Sequence, residues 1–176
     1  WKEQIEKFSP EIFFCESAWS GIALFKNVWR GRVYKDRRIL FENRQILLGI
    51  LNVCKEKRIK TVFWSKEDPV FFQHPIYDFT QTALLFDVIF TTAQECISRY
   101  KSFGHPHVHL LPFGVDPKRF YPDATMMRRG TVLFAGSWFA DQPQRCRSLE
   151  HLFEYSLAQG WKLDIYDRKW GCKEKK

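Results

Sequence analysis

The 176-residue chain has no run of eighteen or more apolar residues, so no membrane-spanning helix is expected from it. Its five cysteines, Cys15, Cys54, Cys96, Cys146 and Cys172, are odd in number and far apart, and no two have the spacing of a zinc site. That pattern fits reduced, buried thiols in a cytoplasmic protein. The Gly-x-Gly-x-x-Gly fingerprint and the Walker lysine are both missing, which argues against a dinucleotide dehydrogenase and a P-loop enzyme. No low-complexity segment occurs, no RNA-binding signature, and no repeat beyond a shared strand–helix rhythm. The chain opens on Trp1 and closes on Lys173-Glu174-Lys175-Lys176 just behind a predicted strand, and is expected to be a piece of a longer protein.

Against these absences stands a composition that can bury a core, 45% hydrophobic and 27% charged. Aromatics reach 17%, with seventeen Phe and seven Trp, so pockets lined by rings are expected. The net charge is +8. Basic residues gather at Arg30, Arg32, Lys35, Arg37 and Arg38, again at Lys55, Lys57, Arg58 and Lys60, and at Arg128 and Arg129. Such groups suit phosphate-bearing ligands, an anionic membrane surface or nucleic acid. The second group ends an amphipathic helix, where cations complement the helix dipole and need no ligand. Because the basic residues are scattered rather than striped along one element, nucleic acid is not expected as a partner. Peripheral contact with an anionic membrane surface stays open.

Hydrophobic patterning predicts alternating strands and helices. Residues 11–15 (Glu-Ile-Phe-Phe-Cys) form a strand candidate, 40–57 an amphipathic helix with Ile46, Leu47, Ile50, Leu51 and Cys54 at three- and four-residue intervals, and 61–64 a short buried strand. A helix is predicted over 75–85, a strand over 87–92, a helix over 93–103 stopped by Gly104, and a strand over 107–112. Residues 22–38 are irregular, with Phe25, Trp29 and Tyr34 among basic residues. They suit a loop at the edge of the core or a stacking surface. Residues 116–129, with Pro117 and Pro122, break the rhythm as a linker. A strand over 131–135, a helix over 144–159 and a strand over 162–166 then restart it. The fold class is α/β: a Rossmann-like parallel sheet followed by one βαβ unit of a second such domain.

Polar residues collect just past the predicted strands, where open α/β sheets bind ligands. Ser65-Lys66-Glu67-Asp68 can hold a phosphate, take a proton from a hydroxyl, or do both. The same residues also suit a solvated turn capped by Asp68 or Ser65. Glu16-Ser17-Ala18-Trp19 follows the first strand. Gly136 and Ser137, at a strand end that runs into a helix, form a natural phosphate cradle, with Arg145 and Arg147 near the helix start able to add charge-assisted bonds. An ordinary tight turn has the same composition. His105, His107 and His109 alternate at what is read as a surface strand entrance, and no metal geometry is expected of them. His74 lies near the Lys-Glu-Asp turn and can assist there, while His151 is read as structural.

Six short motifs follow one another in order: Glu16-Ser-Ala-Trp-x-Gly, Thr61-Val-Phe-Trp-Ser-Lys-Glu-Asp-Pro, Phe86-Asp-Val-Ile-Phe-Thr-Thr, Leu111-Pro-Phe-Gly, Phe134-Ala-Gly-Ser-Trp and Ile165-Tyr-Asp-Arg. Together they resemble the spore maturation protein CgeB-like glycosyltransferases, relatives of the family 4 enzymes with the two-Rossmann-domain (GT-B) architecture. The resemblance implies an acceptor-side domain over 1–120, then a linker and the beginning of a nucleotide-sugar-binding domain over 121–176. It implies a sugar moved from a nucleotide-sugar donor to a cell-surface, spore-associated or protein glycan acceptor, with no cofactor and generally no metal. Gly136, Ser137 and Arg145 would face the donor diphosphate. Glu16, Trp19 and Lys66 would line the acceptor side, with Glu67 and Asp68 as the catalytic carboxylates. Family members continue past Ile165-Tyr-Asp-Arg into a segment that holds sugar and ribose, so the piece alone is expected to lack part of the donor site. The alternative is a catalytically silent module that binds a nucleotide or a phosphorylated glycan.

Overall fold

A computed structural model of the protein describes residues 1–20, 29–123, 125, 127, 130–168 and 170. Gly21, Phe25, Arg128, Arg129, Cys172 and the terminal Lys173-Glu174-Lys175-Lys176, all singled out above, lie outside the described residues. The chain divides into two compact units, Trp1–Val115 and Asp116–Lys176.

The first unit is built on a four-stranded parallel sheet of β1 (Ile12–Glu16), β3 (Lys60–Ser65), β5 (Val88–Thr91) and β6 (Val108–Leu110), in that spatial order. Glu16 lies beside Trp64, and Ser65 beside Thr91, so the carboxyl ends of three strands line up. The strands β1, β3 and β5 are short runs rich in β-branched and aromatic residues, which fit a pleated surface. Helix α1 (Lys2–Phe8), which is not among the predicted elements, precedes β1. Helices α2 (Gln45–Lys57), α3 (Thr80–Ala83) and α4 (Gln94–Ser102) supply the crossovers. In α2 the apolar spacing buries Leu47, Ile50 and Cys54, and the helix ends at Arg58 in the left-handed region (φ 58°). In α4 it buries Cys96 and Tyr100, and Gly104 (φ +84°) follows as the expected stop.

Strand order follows chain order, so successive right-handed crossovers place α2, α3 and α4 on one face. Phe13, Phe63 and Ile89 form the core there with Leu47, Phe79, Phe86 and Tyr100. The opposite face presents Ile12, Phe14, Val62, Trp64 and Phe90, and among the described residues no helix covers it. Phe63 is fully buried, while Phe14 on the adjacent β1, which pairs with Val62 on the opposite face, is 51% exposed. The predicted two-sided burial of these strands is thus corrected to one side. Parallel sheets seldom leave a face open.

Three further corrections share a physical reason: tertiary hydrogen bonds override local periodicity. Residues 40–44 do not join α2. The Asn43 side chain donates to the carbonyls of Gly31 and Tyr34 and accepts from the Asp36 backbone N–H, while Glu42 takes the Arg44 guanidinium at 2.9 Å. The helix predicted over 75–85 shrinks to α3. Before it, β4 (Tyr77–Asp78) pairs antiparallel with β2 (Lys35–Asp36), inside the stretch read as irregular. His105 is buried rather than at the surface, with Nε2 2.8 Å from the Phe86 carbonyl oxygen.

The second unit contains β7 (Thr131–Gly136), α5 (Pro143–Ala158) and β8 (Lys162–Asp167), a βαβ unit whose strands pair in parallel from Thr131 beside Lys162 to Gly136 beside Asp167. Phe134 meets Phe153 edge-on at 5.4 Å, yet α5 fully buries only Cys146 and Ser156. Described residues 111–130 hold no helix or strand. No described helix is long and apolar enough to cross a membrane.

Candidate functional site

In the first unit the turn after β3 is fastened at both ends. Ser17, just past β1 and buried, accepts the Lys66 backbone N–H on Oγ at 2.8 Å and gives its own N–H to the Trp64 carbonyl. Two residues on, Asp68 is buried beneath hydroxyls: Thr91 Oγ1 donates to it at 2.7 Å, Tyr100 OH lies 3.4 Å away, and Ser65 adds a third. Burial pushes the Asp68 carboxyl above the usual carboxylate range, and these donors hold it part of the way back. Thr92 Oγ1 also donates to the Asp68 carbonyl at 3.2 Å.

Between those anchors stands Glu67, half-buried. Burial raises its pKa first, and a hydrogen bond from the Trp19 side chain and the charge of Lys66 act the other way. Lys66 Nζ reaches Glu16 Oε2 at 2.8 Å and lies over the Trp64 ring at 5.8 Å. Trp19 is clasped by Tyr34, Phe71, Tyr77 and Phe79, with centroids 4.8 to 5.5 Å apart. Glu16, Trp19, Lys66 and Glu67 therefore meet at the carboxyl ends of β1 and β3. Asp68, expected beside Glu67 as its catalytic partner, sits under the turn with its oxygens engaged. His74 does not join the group, because its Nδ1 accepts the backbone N–H groups of Ile76 and Tyr77 and its ring stacks on Tyr77. The described strands run in simple sequence with no reversal of order, so no topological switch point marks this place. The residues themselves mark it.

In the second unit a cavity of about 850 Å³ opens at the carboxyl ends of β7 and β8. Gly136, Ser137, Phe139, Tyr166, Arg168 and Trp170 line it, with Asp167 beside them. A Cβ at Gly136 would meet the Phe134 ring at 2.8 Å, so a larger residue there would force that ring to move. Ser137 is buried, its hydroxyl taken by Arg168 Nε at 3.2 Å and its carbonyl by Arg145 Nη1 at 2.8 Å. Arg145 braces the strand end and lies over the Phe139 ring at 5.3 Å without lining the cavity. The guanidinium in the lining is that of Arg168, which sequence reasoning did not assign. Its signal was the Ile165-Tyr-Asp-Arg motif closing a strand. Arg147 is exposed and away from the cavity lining. Neither Arg145 nor Arg168 pairs with a carboxylate among the described residues.

No described group of three or more His, Cys, Asp or Glu has the geometry to hold a metal ion. Fold and side chains define an α/β protein with a Rossmann-like parallel sheet, whose polar residues gather at strand carboxyl ends in each unit. Comparison with protein-family models, with curated proteins and with solved structures finds no match to this chain.

Proposed function

We propose that the chain is part of a glycosyltransferase of the GT-B architecture, moving a sugar from a nucleotide-sugar donor to a glycan or protein acceptor. The observation that carries the reading is the pair of unlike clusters at strand carboxyl ends: a half-buried carboxylate beside tryptophans in one unit, guanidiniums with aromatic rings in the other. Tryptophan faces suit the apolar faces of sugar rings, and Arg forks suit phosphate oxygens. In this reading Glu67 takes the proton of the acceptor hydroxyl as that oxygen bonds to the anomeric carbon. The bond from that carbon to the diphosphate oxygen breaks, and the nucleoside diphosphate leaves with the electron pair. Arg168, with Arg145 behind it, steadies the charge that develops on the leaving group. Asp68 holds the turn that presents Glu67.

A second reading is a silent module that binds a nucleotide or phosphorylated glycan without turnover. The Glu16–Lys66 ion pair favours it, because two groups of the acceptor shelf neutralise each other at 2.8 Å.

Calorimetric titration with UDP- and GDP-sugars, run on the chain and on Arg168→Ala, separates these readings. Binding lost in the variant, followed by release of nucleoside diphosphate that Glu67→Gln abolishes, is the expected outcome for the enzyme. Binding without release by a full-length protein would leave the silent module. The absence of any nucleotide-sugar binding by a full-length protein would sink both.

A further inference from the structure

The basic residues of this chain fall into two classes that the sequence does not distinguish. Most of those in the loop before α2 are spent internally: Arg37 pairs with Asp78, Arg38 with Asp36, and Lys35 and Arg44 with Glu42, while Arg30 and Arg32 form no ion pair among the described residues. Lys55, Arg58 and Lys60 form no ion pair among the described residues. They stand on the rim of a groove of about 540 Å³ whose walls include Leu48, Leu51 and Leu85. Asp87 also lies in this groove, its carboxylate tied to the Thr61 backbone N–H at 2.8 Å and to Thr61 Oγ1 at 3.0 Å.

Chain direction brings more of the same chemistry to this end. The strands are parallel, so α1, α2 and α4 all finish beside strand amino ends. Phe8 follows from α1, Leu85 from the turn before β5, and Phe103 from the end of α4, and all three are exposed. Lys7, Lys57 and Lys101 stand among them, against Glu11, Glu56 and Asp87, and Glu56 accepts a hydrogen bond from Asn52. Exposed apolar side chains ringed by unpaired cations are what an anionic bilayer surface recognises: cations meet the lipid phosphates, and the apolar residues enter the acyl boundary.

We propose that the amino-terminal end of this sheet is a docking surface for an anionic phospholipid membrane, with the Lys55–Arg58–Lys60 rim as its electrostatic anchor and Leu85 as its apolar wedge. Charge complementarity selects this occupant, since three exposed cations that form no ion pair outnumber the one carboxylate, Asp87, in a groove walled in part by Leu48, Leu51 and Leu85. The inference is independent of whether the chain transfers sugars. It turns the acceptor shelf, at the opposite end of the same strands, away from the lipid.

The test is cosedimentation of the 176-residue chain with phosphatidylcholine vesicles, with and without phosphatidylglycerol. Recovery with the anionic vesicles only, falling as salt is raised, is expected. The variant Lys55→Gln/Arg58→Gln/Lys60→Gln should bind about a hundredfold more weakly, from the usual gain per surface cation, and Leu85→Ser several-fold more weakly. A control lacking three exposed cations of the second unit, Lys118→Gln/Arg119→Gln/Lys162→Gln, should bind as the parent does. Circular dichroism verifies that each variant is folded. Failure of the parent chain to bind anionic vesicles would overturn the proposal, as would equal loss in both triple variants or undiminished binding by the first. Binding to an oligonucleotide that shows the same loss in the first triple variant, without vesicle binding, would reassign the surface to nucleic acid.

Discussion

Glu67 and Asp68 are adjacent carboxylates made unlike by their surroundings. Asp68 is enclosed by the hydroxyls of Thr91, Ser65 and Tyr100, whereas Glu67 meets a tryptophan and a lysine at the end of the sheet. Both are raised by burial, but only Glu67 stands where a ligand can reach it. Carbon-detected titration of the glutamates should therefore find Glu67 above the ordinary carboxylate range. Trp19→Phe should move it further up, because the indole hydrogen bond stabilises the charged form, and Lys66→Met should do the same through the lost charge. A downward shift in either variant would contradict this account of the site. If Glu67 is the proton acceptor, the rate of transfer falls as pH drops through that same raised value.

At the scale of elements, the turn after β3 and the two faces of the sheet carry separate predictions. Thr91→Val removes the 2.7 Å donor to Asp68 and leaves a buried carboxylate under-bonded, a loss of about 1–3 kcal/mol. Its pH dependence has a definite sign. The folded pKa of Asp68 already lies above its unfolded value and rises further without Thr91, so the protonated form is the one the fold favours. The associated stability is present in acid, below the unfolded pKa, and is lost as pH rises through the folded one. Urea denaturation should thus show a larger penalty for Thr91→Val at neutral pH than in acid. The sheet itself offers a contrast. Phe63→Ala, on the covered face, should cost about 3–5 kcal/mol. Phe14→Ser, on the open face, should change the stability of this chain by about 0.5 kcal/mol or less. Equal penalties in a denaturant series would show that the open face is packed in solution.

At the scale of the whole molecule, the two units differ in how much core each encloses. The first buries a continuous cluster from Val33 to Val108 between its sheet and helices, while α5 of the second encloses little beyond Cys146 and Ser156. Amide hydrogen exchange should find the slowest protons in β3, β5 and α4, and markedly faster exchange in β7 and β8. Uniform protection across all these strands would contradict this picture of the core. Function divides along the strands as well. In the first unit the carboxyl ends carry the Glu67 shelf and the amino ends carry the unpaired cations, so chemistry and docking would use opposite ends of one sheet.

The sequence by itself determined the alternation of strands and helices. Apolar spacing in α2 and α4, the β-branched and aromatic runs of β3 and β5, and the Gly104 stop are local signals that need no partner. It also located Glu16, Trp19, Lys66 and Glu67 at strand ends, because a parallel sheet gathers such ends on one side. Tertiary structure decided what local pattern does not encode. Asn43 drew residues 40–44 out of the helix through bonds to Gly31 and Tyr34, and the pairing of β2 with β4 displaced a predicted helix. Hydroxyls from β5 and α4 buried Asp68 and separated it from Glu67. Ion pairing engaged Lys35, Arg37, Arg38 and Arg44 but none of Lys55, Arg58 and Lys60, although the two segments are alike in composition. Each of these outcomes depends on which groups meet across the fold, and the charge or periodicity of a segment does not contain that information.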